Sequence, residues 1–196
     1  PIFEKSGEIL KLDRFVFEEV CKFMQCLRKE GRTLFPISVN LSRDHFQNED
    51  FLNPFLKIRE SYQIPAELLE FEVTESIFAS DQEMEKAIDQ IHKEGFLCSR
   101  DDFGAGYSSL GMLTDFDIDY IKLDKRFFDR MDVDEKGQKV IESVIHLSKE
   151  LNIGTVAEGV EDPKQVEFLK RIHCDVVQGY VYAKPLALDK FMIWMD

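Results

Sequence analysis

The sequence lacks the patterns that are typical of membrane-spanning, secreted and nucleic-acid-binding proteins. Its 196 residues include one Trp, four Cys and four His, and 25 basic residues stand against 38 acidic ones. No stretch approaches the roughly 20 consecutive apolar residues of a membrane-spanning helix, so we expect no membrane contact by this segment. No charged-then-apolar leader opens the chain. The net charge of −13 disfavours binding to DNA or RNA, because the chain would repel their phosphates.

The few cysteines and histidines form no motif for metal binding or redox chemistry. Cys21, Cys26, Cys98 and Cys174 include no CxxC pair, and the two nearest lie in a strongly helical stretch, where we expect them to pack as small apolar side chains. We therefore expect four reduced thiols in a cytoplasmic protein. The histidines are scattered and make no HExxH or HxH pattern, which argues against a histidine-based metal site.

What the chain does contain is an alternation of short β-rich runs and helical segments. The β-rich runs cover 34–42, 68–76, 95–103, 119–125, 153–160 and 174–180. No Asn-Gly or similar signal joins two of these runs as a hairpin. Alternation without hairpins predicts parallel strands with helical crossovers, and therefore an α/β fold.

The helical segments show apolar stripes and end signals. One stripe consists of Leu12, Val16, Val20, Phe23 and Leu27, and another of Val140, Ile141, Val144, Ile145 and Leu151. Gly31 and Gly95 stand where two helices should end. We expect the helix N-caps to be Asn53, Asp81 and Asp162.

The strand ends distinguish a closed barrel from an open doubly wound sheet. Nearly every β-rich run finishes in a polar, mostly acidic residue, as at Asn40, Glu72, Glu75, Asp101, Asp102, Lys122, Asp124, Glu158 and Gln178. A doubly wound sheet gathers its site from two or three strand ends, whereas a (β/α)8 barrel brings all of them to one rim. We therefore favour a TIM barrel, although only six of its eight strands can be read. No linker divides the chain, so we treat 1–196 as one domain.

Adjacent carboxylates at Asp101 and Asp102 are awkward without a cation. Two like charges ~4 Å apart repel by about 4 kcal/mol at an effective dielectric of ~20. Glu72, Asp124 and Glu158 on the same rim would add to this repulsion. Any single carboxylate is equally well explained as a helix cap or a solvated charge, and a protonated group would also relieve the repulsion. Several carboxylates with an amide and no thiolate or imidazole suit Mg²⁺ or Mn²⁺.

Two such ions could clamp a phosphodiester and activate a water for in-line attack. Lys122 lies between Ile121 and Leu123 in a strand, so alternation places Lys122 and Asp124 on the same face, inside the barrel. There Lys122 could hold that water or the departing oxygen. The Gly-rich stretch 104–109 superficially matches a dinucleotide-binding loop. Its third glycine is a serine, however, and the two preceding carboxylates would repel a pyrophosphate. We favour a substrate-gated loop.

Six motifs together resemble the EAL domain family. They are 38–42 (SVNLS), 72–75 (EVTE), 101–109 (DDFGAGYSS), 122–124 (KLD), 157–161 (AEGVE) and 178–180 (QGY), and the resemblance runs from Pro1 to about Leu186. EAL domains are bacterial phosphodiesterases that open the second messenger cyclic di-GMP to linear pGpG. The resemblance implies a modified (β/α)8 barrel that commonly forms homodimers, often downstream of a sensor or GGDEF domain.

The resemblance also assigns roles to individual residues. It implies that the Mg²⁺ or Mn²⁺ ligands of a two-metal site are Asn40, Glu72, Asp101, Asp102 and Glu158. It further implies that Lys122 contacts the attacking water, that Gln178 lies near the same site, and that Glu161 steadies the loop 102–109.

The sequence also departs from the family pattern. The Glu-Ala-Leu motif that names the family should precede Pro1, and it is absent together with one or two strands. Its glutamate is a metal ligand, so this segment alone could be inactive. Arg100 stands where an apolar residue is usual, and alternation would turn it towards either a helix or the pocket. The main alternative to a phosphodiesterase is therefore a catalytically inactive EAL module that binds cyclic di-GMP as a receptor.

Overall fold

The computed structural model of the chain describes residues 8–73, 80–103, 112–128 and 135–195. Two compact units can be distinguished from the contacts within it. Unit 1 takes in the described parts of Pro1–Asp101 and Leu110–Asp119, and unit 2 those of Asp102–Ser109 and Tyr120–Asp196. No described helix combines the length and the apolar character needed to cross a membrane.

Unit 1 contains three parallel strands with helices between them. Its helices are α1 (Ile9–Lys29), α2 (Asn53–Tyr62), α3 (Asp81–Lys93) and α4 (Met112–Asp115), with 3-10 turns at Arg43–Gln47 and Ala66–Leu68. Its strands are β1 (Ile37–Asn40), β2 (Leu69–Val73) and β3 (Leu97–Phe103), of which the last two residues belong to unit 2. Strand β2 pairs in parallel with both β1 and β3.

Unit 2 repeats this pattern with shorter strands. Its strands are β4 (Tyr120–Leu123), β5 (Gly154–Ala157) and β6 (Val176–Val177), and its helices are α5 (Glu135–Glu150), α6 (Pro163–Arg171) and α7 (Leu188–Trp194), with a 3-10 turn at Lys125–Phe127. Strand β5 pairs in parallel with both β4 and β6. Each of the six predicted β-rich runs contains a strand, so the prediction of parallel strands with helical crossovers is confirmed.

Four phenylalanines form the centre of the unit 1 core. Phe17 of α1, Phe55 of α2, Phe71 of β2 and Phe96 just before β3 are each at most 1% exposed. The ring centroids of Phe17 and Phe71 are 5.5 Å apart in a stacked pair, and those of Phe55 and Phe71 are 5.2 Å apart edge to face. Aromatic pairs of this kind contribute about 0.5–1.5 kcal/mol beyond the area that they bury. The cluster therefore holds α1 and α2 against β2.

This cluster also explains where the predicted apolar stripes are wrong. The buried residues of α1 are Phe17, Cys21, Phe23, Met24 and Leu27. Val16, which the predicted stripe includes, is 41% exposed, because the helix turns Phe17 towards the Phe55 and Phe71 rings instead. In α5, Ile141, Val144 and Ile145 are buried as predicted. Val140 is 53% exposed, since it lies one residue outside that face.

The helix ends agree with the sequence only in part. Asp162 caps α6 in a capping box with Gln165, as predicted. The cap of α3 is Ser80, whose hydroxyl accepts from the Glu83 N–H, and Asp81 is the first helical residue. Leu52, without a side-chain cap, precedes α2, so Asn53 lies inside that helix. Gly31 and Gly95 follow α1 and α3 with φ of 71° and 81°, a conformation that glycine adopts without steric cost.

The four cysteines are free thiols in different environments. Cys21 and Cys98 are fully buried, and burial raises the pKa of the Cys21 thiol to about 12. Cys26 is exposed, so only one of the two helical cysteines packs as a small apolar side chain, as expected. The α-helix turns Cys26 away from the face that carries Cys21 and Met24.

Candidate active site

In unit 1, the polar residues at the ends of β1 and β2 lie side by side. Asn40 and Glu72 are register partners in the parallel pair, and the Leu41 N–H donates to the Glu72 carbonyl at 3.1 Å. Glu72 is 7% exposed, whereas Asn40 is exposed. The amide and the carboxylate that the sequence singled out therefore belong to neighbouring strand ends.

Strand β3 continues this edge. Ser99 is the register partner of Glu72, and Asp101 lies two residues farther along β3, which places it on the same face by alternation. Arg100, opposite Val73 in the register, is 2% exposed. Its guanidinium therefore lies in the interior of the protein.

Asp102 breaks the regular backbone of β3. It is exposed and has a φ of 57°, in the left-handed region that residues with a side chain seldom adopt. Regular alternation would give Asp102 the same burial as Arg100, but the left-handed turn moves it into solvent. Such a conformation destabilises the folded state by about 1–3 kcal/mol, and residues that adopt it are found most often at functional sites.

In unit 2, the centre of the site is an ion pair between Lys122 and Glu158. The Lys122 Nζ lies 2.7 Å from the Glu158 Oε1, and their side chains are 5% and 24% exposed. The Glu158 N–H donates to the Leu123 carbonyl at 3.0 Å, which places Glu158 at the ends of β4 and β5. Lys122 is thus an interior lysine, as strand alternation predicts. Removing one member of a buried ion pair leaves a desolvated charge, which is strongly unfavourable.

Asp124 has a capping role. Its Oδ1 accepts from the Arg126 N–H at 2.8 Å and from the Arg126 Nε at 2.6 Å. These hydrogen bonds from Arg126 hold the pKa of the Asp124 carboxyl below its ordinary value, and they outweigh the opposing effect of burial. This carboxylate therefore caps the 3-10 turn after β4. A cap is one of the two roles that the sequence allows for any single carboxylate.

Gln178 follows β6 and is held through its backbone. Its N–H donates to the Ala157 carbonyl at 2.8 Å, and its own carbonyl accepts from the Val160 N–H at 3.1 Å. Gln178 also lines a cavity of about 390 Å³ with Tyr180, Pro185 and Trp194 among its walls. The aromatic residues of this lining are not among the predicted site residues, although the stretch 178–185 that supplies much of the lining contains two Tyr and ends in Pro.

The remaining sequence-based assignments concern Glu161 and two segments outside the described ranges. Glu161 is exposed, and its N–H donates to the Gln165 Oε1 at 3.1 Å within the capping box of α6. Glu75 and the glycine-containing stretch 104–109 lie outside the described residues.

A buried carboxylate supports the segment after β1. The Asp13 Oδ2 of α1 accepts from the Ser42 N–H at 3.0 Å and lies 3.2 Å from the His45 Nε2. Burial alone would raise the pKa of Asp13, but the hydrogen bonds from His45 and Ser42 bring it below the ordinary value. Asp13 therefore fixes the chain two residues after Asn40.

Carboxylates also occur at the amino ends of two strands, and neither is among the predicted site residues. Asp119 precedes β4, and its Oδ2 accepts from the Cys98 N–H at 2.7 Å and lies 2.9 Å from the His92 Nε2. Asp175 precedes β6, and its Oδ2 accepts from the Thr155 N–H at 2.9 Å. In both places an aspartate bonds the second residue of an earlier strand.

The donor chemistry of the predicted metal ligands fits a hard cation. Asn40 offers an amide oxygen, and the other four offer carboxylates, which is the donor set that Mg²⁺ and Mn²⁺ prefer. Across the ranges that the structure describes, no group of three or more His, Cys, Asp or Glu is close enough to hold a metal ion.

These features define an α/β protein whose acidic and amide residues follow the carboxyl ends of parallel strands, as in TIM-barrel enzymes. The family model of the EAL domain matches residues 1–185, and the chain belongs to this family. The oxygen sensor protein DosP of Escherichia coli (strain K12) is 35% identical over 100% of this chain and 25% of its own length. The probable cyclic di-GMP phosphodiesterase PdeG of the same strain is 34% identical over 95% and 37%.

A solved structure supports the same conclusion. The PaMucR phosphodiesterase in complex with cyclic di-GMP superimposes with a TM-score of 0.87 at 30% identity, over 97% of this chain and 78% of that one. The fold is therefore the TIM-barrel-like α/β fold of the EAL domain. The chain spans about a quarter to two fifths of the length of the two curated relatives.

Proposed function

We propose that this chain is the phosphodiesterase domain of an enzyme that hydrolyses one 3′–5′ bond of cyclic di-GMP to give linear pGpG. The observation that carries the proposal is the interior Lys122, held 2.7 Å from Glu158 at the carboxyl ends of β4 and β5. A buried ammonium at such a place supplies a fixed positive charge where a phosphodiester reaction needs one. The names of PdeG and the MucR structure support cyclic di-GMP as the substrate.

The oxygen donors would hold Mg²⁺ or Mn²⁺ beside the substrate in a two-metal site. We assign this role to Asn40, Glu72, Asp101, Asp102 and Glu158. Bound ions would neutralise the phosphodiester charge and make a water a stronger nucleophile at neutral pH. The bound cations would also reduce the repulsion between the chain, with its net charge of −13, and an anionic substrate.

The chain's own polar groups would orient the reactants. Lys122 would hold the attacking water by a hydrogen bond from its ammonium, because Glu158 fixes the Nζ and leaves it little freedom. Gln178 would use its side-chain amide near the same position, since its backbone is anchored to Ala157 and Val160. Glu161 would steady the stretch 102–109.

The curated relatives are longer than this chain, which supports a proposal about the parent protein. We propose an upstream sensor or GGDEF domain that controls the phosphodiesterase, in keeping with the name of DosP as an oxygen sensor. We also propose a homodimer in the cytoplasm, where a second messenger such as cyclic di-GMP is available. The residues 1–196 would form one EAL domain of that protein.

A turnover assay with the full-length protein tests the proposal. Purified protein with Mn²⁺ or Mg²⁺ should convert cyclic di-GMP to pGpG, followed by chromatography, and a chelator should stop the reaction. Asp101→Asn keeps the size of the side chain and removes its charge, so turnover should fall by about 100-fold or more if the carboxylate holds a metal ion.

Calorimetry on the same preparations separates the enzyme from a receptor. Tight binding of cyclic di-GMP without turnover would mean that the protein is a binding module. Turnover that persists in Asp101→Asn would contradict the metal assignment. Absence of both binding and turnover in the full-length protein would refute the substrate itself.

A further inference from the structure

The position of Gln178 depends on a very short strand. β6 consists of Val176 and Val177 only, paired with Val156 and Ala157 of β5. Two residues give few ladder hydrogen bonds, and a slip of one residue would turn every side chain of the strand to the other face. Other contacts must therefore define where Gln178 lies.

A side-chain clip defines the start of β6. The Asp175 Oδ2 accepts from the Thr155 N–H at 2.9 Å and from the Thr155 hydroxyl at 2.8 Å. The Asp175 N–H donates back to the Thr155 hydroxyl at 3.2 Å. Thr155 is completely buried, so water cannot replace Asp175 as the partner of the Thr155 N–H and hydroxyl.

The chain after β6 is held just as closely. The backbone of Gln178 bonds Ala157 on one side and Val160 on the other, and the Val181 N–H donates to the Val160 carbonyl at 3.1 Å. A Cβ on Gly179 would come within 2.0 Å of the Val160 carbonyl oxygen, so only glycine allows this approach. Because Ala157 pairs with Val177, the next residues along the two strands are Glu158 and Gln178.

We propose that Asp175, acting through Thr155, is a positioning residue that fixes Gln178 beside Glu158 in the active site. The clip determines the register of β6, and the register determines which face of the strand end carries the Gln178 side chain. The catalytic consequence rests on the proposed function, since Gln178 and Glu158 are assigned to the site there. The structural link between the clip and Gln178 does not depend on it.

Asp119 supports the interpretation that this clip is a built feature. It also precedes a strand and also accepts from the backbone N–H of the second residue of an earlier strand, Cys98 of β3. Cys98 has no hydroxyl, and the second contact of that carboxylate is with His92 instead. Only the Asp175 clip therefore has a threonine hydroxyl that both donates to the aspartate and accepts from its backbone.

The decisive variants change the Thr155 hydroxyl alone. Thr155→Val keeps the shape of the side chain and removes both hydroxyl contacts, whereas Thr155→Ser keeps the hydroxyl and should restore the wild-type behaviour. Ser148→Ala is the matched control, because it removes a buried hydroxyl whose hydrogen bond, to the Val144 carbonyl at 2.9 Å, lies within α5. All variants are made in the full-length protein, with circular dichroism to verify folding.

Amide hydrogen exchange measures the positioning directly. In Thr155→Val, the Gln178 and Val160 amides should exchange about tenfold faster, since their hydrogen bonds open with β6, while the control leaves them unchanged. The kcat for cyclic di-GMP should fall by about tenfold or more with a smaller change in KM, because a misplaced group costs mainly the reaction step. Thr155→Ser should return both values to within about threefold of wild type.

Each outcome bears on one claim. Unchanged Gln178 exchange in folded Thr155→Val overturns the positioning role, whether or not the protein is active. Faster exchange with kcat equal to that of Ser148→Ala overturns the catalytic consequence. If the wild-type protein binds cyclic di-GMP without cleaving it, the proposed function fails, and the same variant should then weaken binding by about tenfold in calorimetry. Unchanged binding in that case also overturns the role.

Discussion

The two ends of the strands use the same kind of residue for different purposes. At the amino ends, Asp119 and Asp175 accept backbone N–H groups from Cys98 and Thr155, which lie in earlier strands. At the carboxyl ends, Asp102 stands in solvent with a left-handed backbone, and Glu158 faces the buried Lys122. Acidic residues at the amino ends thus bond the backbone, whereas those at the carboxyl ends are the ones that we propose for catalysis, as expected of barrel-type α/β folds.

The largest expected effect lies at the carboxyl ends. Lys122→Ala should lower kcat for cyclic di-GMP hydrolysis by about 10²–10³-fold, because it removes a preorganised charge from the reacting water. KM should change by less than about threefold, since the water is not part of the substrate. Steady-state kinetics on the full-length protein measure both values.

Lys149→Ala is the control for loss of a lysine, because Lys149 is exposed at the end of α5. It should leave both kinetic constants unchanged. An equal effect of Lys122→Ala on kcat and on substrate affinity would argue against the role in holding water. Lys122→Met, which keeps more of the buried volume, separates loss of charge from loss of packing.

The next effect lies at the amino ends and concerns stability. Asp119→Ala should lower the free energy of unfolding by about 1–3 kcal/mol, because the buried Cys98 N–H loses its acceptor and the His92 Nε2 loses its carboxylate partner. Turnover per folded molecule should change by less than about threefold, since this end of the strand touches no reacting group. Urea denaturation followed by circular dichroism gives the first value.

Asp117→Ala is the matched control two residues away. The Asp117 side chain is 93% exposed and lies 3.8 Å from the His92 Nδ1, so its loss should cost less than about 0.5 kcal/mol. Equal effects of the two substitutions would mean that Asp119 acts through net charge rather than through its hydrogen bonds. A large fall in turnover for Asp119→Ala would contradict the prediction that the amino ends of the strands affect stability and not turnover.

The same contrast between the two strand ends explains which features could be predicted from the sequence. The strands and most of the candidate site residues can be read from local patterns, because alternation and strand-end polarity are visible over a few residues. The two aspartate contacts at the amino ends cannot, since Asp119 and Cys98 lie 21 residues apart and Asp175 and Thr155 lie 20 apart. Each pair is brought together by the tertiary fold, which no local pattern encodes.

Some predicted helix caps and core-facing residues are wrong for a related reason, because distant parts of the chain decide them. Ser80 rather than Asp81 caps α3, because both residue types suit the position and the path of the chain decides between them. Phe17 rather than Val16 faces the core, because three other rings from distant segments surround it. The left-handed backbone of Asp102, at the end of strand β3, could not be predicted either. Neither of its neighbours in the sequence is a glycine or a proline, the residues that indicate a turn.

The smallest effect concerns that backbone conformation. At most positions a glycine destabilises a protein relative to alanine, because it has more freedom in the unfolded chain. At Asp102 the order should be reversed, with Asp102→Gly more stable than Asp102→Ala by about 1 kcal/mol, since a Cβ is unfavourable at a φ of 57°. Thermal unfolding of both variants in the absence of added metal measures the difference.

Lys164 of α6 provides the reference pair, because it is exposed and lies within a regular helix. There, Lys164→Ala should be more stable than Lys164→Gly by about 0.5–1 kcal/mol. If the same order held at Asp102, the left-handed backbone would not be a property of the folded protein in solution. If the order is reversed, the carboxyl end of β3 keeps a strained residue at the position that we propose for metal binding, whereas the aspartates at the amino ends bond backbone N–H groups of earlier strands.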